Sequence, residues 1–184
     1  MSKFSLDLIV IDNDLEALAL RSALEWWGVK VNLYIIGKAQ DVVDFFQSGQ
    51  LAPNICLAGH GDGDAASPNW SFVLPELGEE IAKKQPYDKF LHPADIAEFA
   101  KLSGQHIFSN ACQTGHLEMA NVFLSAGAAS YVAPQKAPFG NATLHFALNF
   151  YYWQFAKEKD VNEAFEKALS QIDIEQDKFT LFQH

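Results

Sequence analysis

The sequence predicts an α/β fold, a three-layer α/β/α sandwich around a mostly parallel central sheet, and three observations carry that expectation. Short apolar runs recur along the chain, at Leu6–Ile11, Val31–Ile36, Asn54–Ala58, His106–Ser109 and Ser130–Ala133. Between them lie segments whose apolar residues recur at helical spacing, and such alternation argues for a parallel sheet with helices on both faces. The third observation is the position of the polar clusters. Asp12-Asn13-Asp14, Gly59-His60-Gly61-Asp62-Gly63-Asp64 and Asn110-Ala111-Cys112-Gln113-Thr114-Gly115 each follow an apolar run, where open α/β sheets bind their ligands.

The first run is interrupted only by Asp7 and is bounded by acidic turn residues, as suits a central strand. Leu15, Leu18, Ala19, Ser22 and Trp26 mark a first helix, with Asp14 as its expected cap and Gly28 as its stop. After the second strand comes a short helix over Asp41–Phe46, then the third strand. From Asp62 to about Lys89 the composition turns to Gly, Ser, Pro and Asn around one apolar patch, Trp70–Leu74, which reads as an exposed loop or hairpin. Helical spacing returns over His92–Leu102 with Pro93 in the first turn. It returns again over Leu117–Leu124, which ends at Gly127, and over Thr143–Ala156 and Val161–Ser170, the last with Asn162 as expected cap. Phe179–Phe182 is read as a last strand or a docked tail. The aromatic pairs and runs Trp26-Trp27 and Phe150-Tyr151-Tyr152-Trp153 are read as packing residues rather than ligand-stacking ones.

With 184 residues, 49% of them hydrophobic, the chain suits one well-packed domain over 1–184. A formal charge of −10 disfavours nucleic acid and anionic membrane surfaces as partners, and a basic or neutral partner is the expectation. No apolar run approaches the roughly 20 residues of a membrane span. The N-terminus enters a strand-length run rather than a signal-peptide core, so a cytoplasmic setting with reduced thiols is expected. Only Cys56 and Cys112 are present, and Cys56 lies inside an apolar run as a small hydrophobe.

The chemistry-bearing residues are His60 and Cys112. His60 stands between two glycines directly after a strand, so neighbouring backbone N–H groups are unshielded and could face a developing oxyanion. Cys112 follows a strand and precedes a helical segment, where a helix dipole would favour the thiolate. Cys112 and His116, at i and i+4, and the alternating His60, Asp62 and Asp64 are of metal-ligating types, but they lack a paired spacing and no metal or other cofactor is expected. An acidic start followed later by Lys136 also resembles a response-regulator receiver. That reading needs an Asp after the third strand, where Gly59-His60 stands.

Leu57-Ala58-Gly59-His60-Gly61-Asp62 resembles the His-Gly motif of the caspase, metacaspase and clostripain-like clan, and Ser109-Asn110-Ala111-Cys112-Gln113-Thr114-Gly115 resembles its Ala-Cys motif. Their 52-residue separation is close to the roughly 50 of the caspase signature. Ala126–Pro134, Phe150–Tyr152 and Val161–Phe165 are similar to the back half of the caspase-like module called the CHAT domain. The resemblance implies a caspase-like fold and a cysteine endopeptidase acting on a protein or peptide. Cys112 would be the nucleophile, His60 the general acid and base, and the amides of Gly61 and Cys112 the oxyanion donors. It also implies a substrate pocket lined by Asp12 and Asn110, with Asp62 beside it, and an acidic Asp12 would favour Lys or Arg before the scissile bond. CHAT-like modules also serve as interaction or signalling domains without catalysis, which is the alternative reading. Relatives often pair through a sheet edge, and Phe179–Phe182 could be such an edge strand, so the resemblance allows a homodimer without demanding one.

Overall fold

A computed structural model of the chain describes residues 3–64, 67–138, 141–173 and 177–184. Its main sheet runs in the order β2 (Val29–Ile35), β1 (Phe4–Ile11), β3 (Asn54–Asp64), β6 (His106–Ser109), β7 (Ser130–Pro134) and β8 (Phe179–Gln183). All neighbours in that order are parallel except β7 and β8. A second, antiparallel group of β4 (Ser67–Val73) and β5 (Phe90–Leu91) grows from the far end of β3.

Helices cover both faces, and side-chain alternation along the strands feeds a separate core on each. Leu6, Leu8 and Val10 of β1 pack with α1 (Asp14–Trp26), α6 (Ala142–Tyr151) and α7 (Val161–Leu169). Ile9 and Ile11 pack on the other side with α2 (Ala39–Gln47), α4 (Pro93–Phe99) and α5 (Leu117–Ser125). Phe108 centres the first core, with ring centroids 5.5–6.3 Å from Phe146, Phe150, Tyr151 and Phe179. Asp7 is buried in the β1 interior because it locks the sheet: its carboxylate accepts from the Ala52 amide at 2.7 Å and from Asn32 Nδ2 at 2.8 Å. The fold is therefore the expected three-layer α/β/α arrangement.

Several local expectations are revised. The third strand does not stop at Ala58 but runs on to Asp64, because Gly61 and Asp62 pair with Phe72 and Ser71 of the apolar patch. Pairing with a hydrophobic partner strand outweighs the low strand propensity of glycine. Within the 62–89 region there is also a short helix, α3 (Glu79–Ala82). At the start of α1, Asn13 stands in the N-cap position and Asp14 is the first helical residue. For α7 the cap is Asp160, whose side chain accepts from the Glu163 amide, rather than Asn162. The long helix after residue 141 changes to a π-helical turn over Tyr152–Ala156, which carries buried Gln154 to Asn54 Oδ1 at 2.9 Å. Phe150 and Tyr151 are core residues, whereas Trp26 is 88% exposed and packs in no core. Among the described residues, no helix is long and apolar enough to cross a membrane.

Candidate functional site

The parallel register of β3 and β6 brings His60 and Cys112 to the same level. Leu57 pairs with Ser109, and the Asn110 amide donates to the Leu57 carbonyl at 3.1 Å, so both residues stand three positions beyond one matched pair. The backbones then touch. A Cβ added to Gly61 would lie 1.9 Å from the Cys112 carbonyl oxygen and 3.1 Å from Thr114 Cγ2. Glycine at 61 is a packing requirement, because only a residue without a side chain lets the two strand ends meet. Gly59 is similarly confined, with an added Cβ 2.9 Å from Ile11 Cβ.

His60 is exposed, at the point where β3 leaves the parallel sheet and pairs with Val73. Cys112 is half-buried, in the seven-residue loop Asn110–His116 between β6 and α5, which is tied down at many points. Gln113 adopts a left-handed backbone, φ 59°, and its amide donates to the Lys136 carbonyl at 3.0 Å. Thr114 Oγ1 donates to the Ala111 carbonyl at 2.8 Å, Ser109 Oγ lies 3.0 Å from it, and Tyr131 OH donates to the Thr114 carbonyl. The Gly115 amide donates to the Pro134 carbonyl at 2.8 Å. His116 closes the loop, stacked on Trp70 with ring centroids 3.6 Å apart and Nε2 3.0 Å from the Gln135 carbonyl.

This loop corrects one sequence expectation. Helix α5 begins at Leu117, five residues beyond Cys112, so the thiol does not sit on a helix N-terminus. Burial pushes the Cys112 thiol above its ordinary value, the Glu16 carboxylate adds to the rise, and a backbone hydrogen bond at Cys112 opposes both. Burial and Glu16 thus both favour the thiol over the thiolate. Among the described residues, no hydrogen bond joins Cys112 Sγ to the His60 ring. Cys56, fully buried, is pushed up to about 12 by desolvation and is chemically inert.

The three expected pocket residues differ in placement. Asp12 is exposed at the end of β1 in a left-handed conformation, φ 57°. Two of the three non-glycine left-handed residues among those described, Asp12 and Gln113, thus lie on the strand-end loops around the candidate site. Asp62 is exposed, and its Oδ1 accepts from the Gly63 amide at 2.9 Å. Asn110 is buried and committed at both ends of its amide. Oδ1 accepts from the Gly59 amide at 2.8 Å, and Nδ2 donates to Glu16 Oε2 at 2.7 Å.

Glu16 is the site residue that the sequence reading passed over. Its carboxylate also accepts from Asn13 Nδ2 at 3.1 Å and from Thr143 Oγ1 at 3.3 Å. A signal existed, since Glu16 is an acidic residue in the first turn of a helix that starts at a strand-end cluster. Among the described residues, no three His, Cys, Asp or Glu side chains converge as metal ligands would.

No family model and no curated protein matches the chain. Among solved structures, a fusion described by its yeast Spc42 trimeric coiled-coil segment is similar at 16% identity over 93% of each chain, with a TM-score of 0.37. A likeness at that level carries no argument.

Proposed function

We propose that this chain is a caspase-like cysteine peptidase that hydrolyses an amide bond with Cys112 as nucleophile and His60 as general acid and base. The observation that carries the reading is the contact of Gly61 with the Cys112 carbonyl, which holds the two strand ends together at one register level. The neutral resting thiol requires proton removal during attack. As Cys112 Sγ bonds to the substrate carbonyl carbon, its proton passes to His60, and the oxyanion forms against the amides of Gly61 and Cys112. The C–N bond then breaks, the His60 proton goes to the leaving amine, and a thioester remains on Cys112. Water then attacks the thioester carbonyl as His60 takes its proton; the C–S bond breaks, the acyl group leaves as the carboxylic acid, and His60 returns the proton to Cys112 Sγ. Exposed Asp12 and Asp62 give this end of the sheet an acidic rim, which suits a Lys or Arg side chain on the substrate. A free, half-buried thiol suits a reducing cytoplasmic setting.

A non-catalytic interaction module is the second reading, and the elevated thiol favours it. Hydrolysis of an internally quenched peptide library with basic residues at the scissile position separates the two. The peptidase reading expects cleavage that disappears in Cys112→Ala and in His60→Ala. No cleavage by the wild-type chain, or cleavage unchanged in Cys112→Ala, would overturn it.

A further inference from the structure

We infer that Glu16 is a positioning residue: through Asn110 it holds the Gly59–Gly61 backbone in place against Cys112. The inference rests on the peptidase reading for its catalytic meaning, but its geometry is independent of that reading. The Asn110 amide can point only one way, because the Gly59 N–H needs an acceptor and the Glu16 carboxylate needs a donor. Reversal would set N–H against N–H and oxygen against carboxylate. Glu16 therefore fixes the orientation of Asn110 by a short charge-assisted bond, and Asn110 fixes the amide of the residue before His60.

The anchor is itself held from two other elements, by Asn13 at the β1–α1 turn and by Thr143 on α6. With Ile11 against Gly59 on one side and Cys112 against Gly61 on the other, the backbone that carries His60 has little freedom once Asn110 is oriented. Glu16 also has a second effect. Burial is the larger cause of the raised Cys112 thiol, and the negative charge of Glu16 adds to it.

Two substitutions separate these effects. Glu16→Gln keeps an acceptor for Asn110 Nδ2 and removes the charge; Glu16→Ala removes both. The readouts are amide exchange at Gly59, the pH profile of iodoacetamide alkylation at Cys112 by mass spectrometry, and peptide hydrolysis. For Glu16→Ala we expect faster Gly59 exchange and about a tenfold or larger fall in hydrolysis, as misplacement of a reacting group costs. For Glu16→Gln we expect near-normal Gly59 exchange and an alkylation profile displaced to lower pH. Unchanged Gly59 exchange in a folded Glu16→Ala protein overturns the inference, as does Gly59 exchange in Glu16→Gln as fast as in Glu16→Ala. If both respond as expected while the wild-type chain hydrolyses nothing, the positioning role stands and the peptidase reading fails.

Discussion

Gly61 is the residue on which the geometry turns. Its hydrogen faces the Cys112 carbonyl where any side chain would meet an oxygen at 1.9 Å, and that oxygen belongs to a loop held by Gln113, Thr114 and Gly115. Neither side can yield cheaply. Gly61→Ala is expected to cost roughly 1–3 kcal/mol or more by overpacking, read as a lower urea midpoint. It is also expected to abolish peptide hydrolysis while the far-ultraviolet circular dichroism stays α/β. Wild-type stability in that variant would mean the strand ends are not in contact. The glycine was visible in the sequence as a neighbour of His60. What it touches was not, because that contact depends on the β3–β6 register across residues far apart in the chain.

At the level of elements, the strands were legible from their apolar runs, and the helices from their periodicity. What local pattern does not carry is pairing and contact between distant segments. Beyond Ala58 the chain is glycine and aspartate, which place the strand end too early, while the hairpin that the apolar patch Trp70–Leu74 suggests does form, with Gly61 and Asp62 on its first strand. Helical spacing puts the start of α5 correctly at Leu117, but the four residues between it and Cys112 keep the thiol off the helix N-terminus. Glu16 and Asn110 are 94 residues apart and meet only in the folded chain. The last strand, by contrast, joins local pairing to aromatic packing: it pairs antiparallel with β7 and sets Phe179 into the core. Phe179 of β8 stacks on Phe146 of α6 with ring centroids 3.9 Å apart and planes within 3°. Phe179→Ala should lower stability by about 3–5 kcal/mol, since it removes a buried ring from the aromatic cluster around Phe108. A loss under about 1 kcal/mol in denaturant titration would show that β8 is an accessory edge rather than part of the cooperative unit.

Over the whole molecule, two hydrophobic cores hold a six-strand sheet rigid, and its strand ends carry the polar residues. Burial, with a smaller contribution from Glu16, holds the Cys112 thiol above its ordinary range, whereas the proposed peptidase reaction needs His60 to take its proton as bond formation begins. That requirement gives the central claim a direct test in the rate at which Cys112 is modified. A simple alkylating agent such as iodoacetamide reads only the thiolate, so its rate should be low at neutral pH and rise through a midpoint above the ordinary 9.0 of a cysteine. A peptidyl chloromethyl ketone with Lys or Arg next to the warhead can instead use His60. The account expects it to label Cys112 at neutral pH at least about a hundredfold faster than iodoacetamide, with that advantage lost in His60→Ala. Equal rates for the two reagents, or an advantage that survives His60→Ala, would contradict the assignment of His60 and Cys112 as a working pair.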